Sequence, residues 1–179
     1  MKKKKIIVIG LGQWGNSWVV DIMAHPLFSL VAVIDNNQSQ INKVIQKNKL
    51  DGSIGFTSYQ SAIITVKPDV AVIAVPPKYH FAVVDHCLEN HVDIISEKPL
   101  AVNIEEANKM LKKTNDNGVR FMVSQDYRWQ PPIQTIRKAI KEGLIGKVGY
   151  ITYRHFQNLQ IGGWREQMKE VILEDMAIH

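Results

Sequence analysis

Three glycines, Gly10, Gly12 and Gly15, stand between an unbroken apolar run, Ile6–Ile9, and a segment of helical period over about residues 13–24. In that setting Gly-x-Gly-x-x-Gly assigns each glycine a task. Gly10 permits a tight turn, Gly12 lets a pyrophosphate approach the backbone, and Gly15 allows the helix to pack closely on the strand. Free N–H groups at the helix start would face the phosphates, with Gln13 and Trp14 beside them. The same pattern also occurs as a plain strand–helix connection, so its context matters. Further strands are predicted at Leu30–Ile34, Ser53–Phe56 (weaker), Val70–Val75, Val92–Ile95 and Arg120–Val123. Helices fall between them, around 38–48, 58–65, 79–90 and 104–116. The last of these shows the logic: Asn103 caps, Glu106 completes a capping-box spacing, Ala107, Met110, Leu111 and Thr114 form a stripe, and Gly118 follows the end. Regular alternation with continuous apolar strands predicts an α/β fold, a Rossmann doubly wound parallel sheet covered by helices on both faces.

Near residue 124 the rhythm changes. Pro131 and Pro132 open a helix with the stripe Ile133, Ile136 and Ile140, closed by Gly143; a long strand over about Val148–Phe156 and a final helical segment from about 166 are then expected. One strand and two helices do not make an independent sheet domain. The expected division is therefore a nucleotide-binding domain over 1–123 and the incomplete start of an α+β substrate domain over 124–179.

The 179 residues, 45% of them apolar, can bury one sizeable core but not two full domains. A net charge of +5 suggests nucleic acid only until the run Lys2–Lys5 is set aside; the remaining 18 basic residues then face 17 acidic ones, a balance of +1. Gly10, Gly12 and Gln13 interrupt the apolar stretch after that run before it reaches the roughly 7 to 15 residues of a secretory signal. No segment approaches the roughly 18 apolar residues of a membrane span. A single cysteine, Cys87, excludes an internal disulfide and fits a cytoplasmic location.

Asp35 ends the second strand twenty residues beyond Gly15. An acidic side chain there can bind the adenosine ribose hydroxyls, or it can be an ordinary strand-end Asp in the Asp35-Asn36-Asn37 turn. A 2′-phosphate about 4 Å away would be repelled by ~4 kcal/mol at an effective dielectric of 20. No arginine follows to offset that; Asn36, Asn37 and Gln38 come first. NAD is therefore favoured over NADP, with Asn36 beside the ribose site.

Val75-Pro76-Pro77 with His80 after the fourth strand, and Glu97-Lys98-Pro99 after the fifth, resemble the Gfo/Idh/MocA oxidoreductase family, relatives of glucose–fructose oxidoreductase and inositol dehydrogenase. Tyr127-Arg128, Gly146-Lys147-Val148-Gly149, Trp164-Arg165 and Asp175-Met176-Ala177-Ile178-His179 follow in the family's order, so the likeness spans essentially the whole chain. The resemblance implies an NAD(P)-dependent dehydrogenase or reductase acting on a sugar, cyclitol or related polyhydroxy small molecule. It further implies that Lys98 contacts the reacting hydroxyl or carbonyl beside the nicotinamide. A lysine ammonium is a poor base near neutrality until desolvation or a neighbouring cation weakens its hold on the proton. A solvated loop lysine is the plain alternative. Pro99 would follow a cis bond, as the family often shows. Pro76, Pro77, His80 and Glu97 would lie against the cofactor, although His80 also reads as a helix-start surface histidine and Glu97 as structural.

Asp175 and His179, four apart, share a helix face. The resemblance makes them a substrate contact and the acid/base histidine, an imidazole whose ordinary pKa of about 6.5 suits proton transfer at neutral pH. A solvated pair or two metal ligands are the other readings, and no third ligand stands at motif spacing, so no metal is expected. Tyr127, Arg128, Trp164 and Arg165 are expected to orient substrate with Asp175. Cys87 lies in the stripe Val83, Val84 and Leu88 and reads as core, not as a zinc ligand with His80, His86 or His91. Trp14 and Trp18, four apart, read as packing residues. The cluster Tyr127-Arg128-Trp129 lacks a basic groove and is expected to serve substrate rather than bases.

In the family the segment after the matching histidine continues into an open, mainly antiparallel sheet that covers substrate and often supports oligomers. The expectation is that these residues are part of a longer, homo-oligomeric enzyme. A module that holds NAD without turnover is the competing reading, and redox-neutral chemistry, in which bound NAD is reduced and reoxidised within one cycle, is a third.

Overall fold

The computed structural model describes residues 2–152 and 154, and its chain forms two compact units that divide after Ser124. The first contains six strands: β1 (Lys4–Ile9), β2 (Phe28–Ile34), β3 (Gly55–Phe56), β4 (Val70–Ile73), β5 (Asp93–Glu97) and β6 (Phe121–Ser124). They form one sheet in the order β3-β2-β1-β4-β5-β6, every pair parallel. Between them run α1 (Gln13–Ala24), α2 (Gln38–Asn48), α3 (Tyr59–Val66), α4 (His80–Glu89) and α5 (Ile104–Asn117). This is the Rossmann arrangement, with the order reversing direction between β1 and β4.

The continuous apolar strands are explained by burial on both faces. Ile6 and Val8 join Val33, Val72 and the helical residues Val19, Ile22, Ile41 and Val44 on one side. Ile7 and Ile9 join Ala32, Ile34, Ala71, Ile73 and residues of α3, α4 and α5 on the other. β1, β4 and β5 thus send alternate side chains into two cores, as the period of two requires. Cys87 is fully buried among the second group, and burial pushes its thiol up to about 12, so it is a core side chain.

Boundaries differ from expectation where local chemistry intervenes. β4 stops at Ile73 rather than Val75 because one further ladder bond, Ala74 N–H to Ile9 O, precedes Pro76, which has no N–H to contribute. β5 runs to Glu97 because its backbone pairs with Ser124. The weak third strand keeps only Gly55–Phe56, since Asp51 accepts from Ser53 N–H and winds Gly52–Ile54 into a 3-10 turn.

In the second unit a 3-10 turn, Asp126–Trp129, leads into α6 (Pro131–Lys141). Prolines occupy the first turn of α6, where missing N–H groups cost nothing. The expected strand over Val148–Phe156 is corrected for its described part: residues 148–152 form no strand, because no neighbouring strand among the described residues supplies partners for their backbone groups. The rest of that segment, and the helix expected from about 166, lie outside the described residues. Among those described, no helix is long and apolar enough to cross a membrane.

Candidate functional site

The carboxyl ends of β1, β2, β4 and β5 deliver their loops to one edge of the sheet. Gly10 ends β1 with φ +91, and its N–H donates to Ile34 O at 2.8 Å. A Cβ on Gly10 would stand 2.5 Å from Ala74 O, and one on Gly15 only 1.8 Å from Gly10 O. Both glycines therefore let backbone meet backbone. Gly12 is different: a Cβ there would meet nothing within 4 Å. It is the N-cap of α1, has no side chain to satisfy the first-turn N–H groups, and no acidic residue occupies that turn. The start of α1 is thus a cradle of unclaimed donors at the positive end of a helix, open where a phosphate would approach. Gln13 and Trp14 are both exposed beside it. Trp14, 46% exposed, is not the packing residue expected. Trp18, one turn later, packs against the α1-side core.

Asp35 follows β2 and is held at both oxygens. Oδ2 accepts from Leu11 N–H at 2.9 Å and Oδ1 from Asn37 N–H at 2.9 Å. A carboxylate offers about four lone-pair sites, so roughly two remain for ribose hydroxyls. The turn reading and the ribose reading are therefore compatible. Gln40, which the sequence did not single out, donates from Nε2 to Leu11 O at 2.6 Å. Asp35 and Gln40 together fix both ends of the Leu11 residue and so orient the glycine loop. Asn36 is exposed beside Asp35.

After β4, Pro76 opens the 3-10 turn Pro77–Tyr79 that runs into α4. His80 is fully buried, with Nε2 2.9 Å from Val75 O and Nδ1 2.9 Å from Pro99 O. This corrects the reading of His80 as a surface histidine: each ring nitrogen faces a backbone carbonyl. The imidazole ties the loop after β4 to the loop after β5, where the Lys98-Pro99 bond is cis. Burial pushes its pKa below the ordinary histidine value, outweighing the opposite pull of the carbonyls of Val75, Pro99 and Leu100. The neutral ring is thus favoured in the fold, with one N–H for two carbonyls. As pH falls below about 6.5 the unfolded chain takes up the proton first, so stability declines with acid until the depressed folded value is passed. Urea midpoints at about pH 7.5 and about pH 5.5 should show this decline in wild type and a smaller one in His80→Gln. Equal declines would remove His80 from the account.

Glu97 and Lys98 are half-buried at the end of β5. Trp18 Nε1 donates to Glu97 Oε1 at 2.7 Å, a partnership that nothing local in the sequence indicates. Gly10, Gly12, Gly15, Asp35, Pro76, Pro77, Glu97 and Lys98 all stand on the strand ends, loops and helix starts of this one edge. Tyr127 and Arg128 belong to the second unit, in its 3-10 turn, where the Arg128 guanidinium lies 5.1 Å from the Trp129 ring centroid. Trp164, Arg165, Asp175 and His179 lie outside the described residues. His86 sits 3.6 Å from Glu89 Oε2 and edge-on to Tyr59.

Comparison with known proteins adds independent findings. A family model described as "Oxidoreductase family, NAD-binding Rossmann fold" (GFO_IDH_MocA) matches residues 4–125. An uncharacterised protein of Sinorhizobium fredii is 25% identical over 183 residues, covering 98% of this chain and 51% of that protein. The D-glucoside 3-dehydrogenase of Escherichia coli is 26% identical over 166 residues, covering 89% of this chain and 45% of the enzyme. The crystal structure of an Agrobacterium radiobacter oxidoreductase, in complex with NAD+, L-tartaric acid and magnesium, has the same fold. It superposes with a TM-score of 0.77 at 21% identity, covering 82% of this chain and 42% of that one. The chain thus spans about half the length of the relatives it matches.

Proposed function

The chain belongs to the Gfo/Idh/MocA oxidoreductase family through its NAD-binding Rossmann domain, and from that premise we propose that it binds NAD in preference to NADP for hydride transfer on a polyhydroxy small molecule. The observation that carries this reading is the open cradle at Gly12, with an uncapped α1 behind it and Asp35 at the neighbouring strand end. The preference for NAD rests on Asp35 and is the chain's own, since the family also includes NADP-dependent members. When bound, the dinucleotide would supply or accept the hydride exchanged with a carbinol or carbonyl carbon.

The chain's residues would do the rest. First-turn N–H groups of α1 hold the pyrophosphate and Asp35 accepts from the adenosine ribose. Lys98 contacts the reacting oxygen and, with His179, takes or returns the hydroxyl proton. Tyr127, Arg128, Trp164, Arg165 and Asp175 orient the substrate, a sugar, cyclitol or derivative; its class draws support from relatives such as the D-glucoside 3-dehydrogenase. Orientation of this kind is where much of a barrier reduction comes from.

A second reading, binding without turnover, is favoured by one observation, that the family model matching residues 4–125 describes an NAD-binding fold. Titration of the 179-residue chain with NADH, followed by a panel of sugars and cyclitols supplied with NAD+ and monitored by the rise of NADH absorbance, separates the two. Binding with turnover supports the dehydrogenase, binding alone supports the module, and absence of binding overturns both.

A further inference from the structure

We infer that Trp18 is a positioning residue for Lys98, acting through Glu97. The inference rests on the reading of Lys98 as the residue at the reacting end of the site. Trp18 lies in the second turn of α1, the helix whose first turn forms the cradle, and its ring packs on the core that includes Ile6, Val8 and Val72. Its indole N–H crosses 79 residues of sequence to reach Glu97 Oε1 at 2.7 Å. Glu97 is the last residue of β5, and its backbone is already fixed by pairing with Ser124. Main chain and side chain of Glu97 are therefore both held, and the next residue is Lys98. On the other side of Lys98, Pro99 O lies 2.9 Å from Nδ1 of buried His80. The lysine thus emerges between two residues anchored from other elements, and one anchor runs to the helix that would carry the dinucleotide.

Tryptophan suits this task because it combines an apolar ring with a single directional donor, so it can pack in a core and still satisfy a carboxylate. A half-buried carboxylate without that donor would turn toward water and take the start of the Lys98 loop with it. The bond takes one of the roughly four acceptor sites of the Glu97 carboxylate, and the others stay open to a ligand.

The test uses the free chain. Lysines are reductively methylated with a carbon-13 label, and the Lys98 resonance is assigned with Lys98→Arg. Trp18→Phe keeps an aromatic ring but removes the donor, and should displace the Lys98 resonance. Trp18→His places Nε2 where the indole Nε1 stands, because both are in five-membered rings attached in the same way. It restores the donor while losing more packing, and should return the resonance to the wild-type position. A merely structural role predicts the reverse order, since histidine fills less of the site than phenylalanine. No displacement in Trp18→Phe, or an equal or larger one in Trp18→His, overturns the proposal. Should Trp18→Phe not fold, benzothienylalanine at position 18, which replaces N–H by sulfur in an unchanged bicyclic shape, gives the same reading. Because no dinucleotide is present, a failed NADH titration would remove the cofactor reading without touching this result, and the converse also holds.

Discussion

Gly15→Ala is expected to destabilise the fold severely, whereas Gly12→Ala should leave stability nearly unchanged and strongly weaken dinucleotide binding. The two glycines belong to one motif but face opposite surroundings. At Gly15 an added Cβ would sit 1.8 Å from Gly10 O and 2.8 Å from Gly10 C. Both are backbone atoms of the turn that ends β1, and the same turn leaves 2.5 Å between Ala74 O and any Cβ on Gly10. Neither side can yield without pulling α1 from the sheet or breaking the Gly10 N–H to Ile34 O bond. Overpacking of this kind costs about 3 kcal/mol or more. In a protein of this size that corresponds to a fall in melting temperature on the order of 6–12 °C. Gly12, by contrast, has open space within 4 Å and a negative φ of −64, so alanine fits the free protein. The change at an N-cap costs about 1 kcal/mol at most. Its methyl would occupy the volume where a pyrophosphate approaches the α1 donors, and NADH affinity should fall at least about a hundredfold, roughly 2.7 kcal/mol. Thermal melts and NADH titrations of both variants check this. A stable Gly15→Ala protein would contradict the packing role, and normal NADH affinity in Gly12→Ala would contradict the cradle.

That division of labour was legible in the sequence because the motif and its strand–helix setting are local. The same holds for α1 and α2, whose bounds coincide with expectation: the apolar period and the cap at Asn37 lie within the segments themselves. What was not legible depends on distant partners. Gln40 is an unremarked polar residue until Leu11 O stands 2.6 Å from its amide. His80 looks like the first residue of a surface helix, yet it is buried because the loops after β4 and β5 close over it. Helical spacing places Trp18 and Trp14 on one face, but the sheet lies on one side of α1 only, so one ring packs and the other is exposed. Residues 148–152 have strand composition, and strand composition alone supplies no neighbour to pair with.

The second large effect concerns cofactor choice, and the geometry dictates how it must be measured. Asp35→Ala removes two acceptors from the glycine loop, those used by Leu11 N–H and Asn37 N–H. Loosening of the loop would weaken any dinucleotide, so a fall in NADH affinity alone says little. The informative quantity is the ratio of NADH to NADPH affinity, from which the shared loss cancels. Ribose hydrogen bonds to a carboxylate contribute roughly 1.5–3 kcal/mol each before costs, and only NADH gains them fully. Repulsion of a 2′-phosphate about 4 Å away, ~4 kcal/mol at an effective dielectric of 20, is relieved only for NADPH. Solvent and salt screen an edge site, which reduces both figures. The ratio should nonetheless fall at least about tenfold, the equivalent of roughly 1.4 kcal/mol. Asp35→Asn sharpens the comparison, because its amide oxygen can keep one loop N–H while the charge is gone. If Asp35 discriminates by charge, Asn and Ala shift the ratio alike although Asn binds both dinucleotides better. If Asp35 serves only the turn, Asn restores affinity and the ratio stays at its wild-type value in both variants.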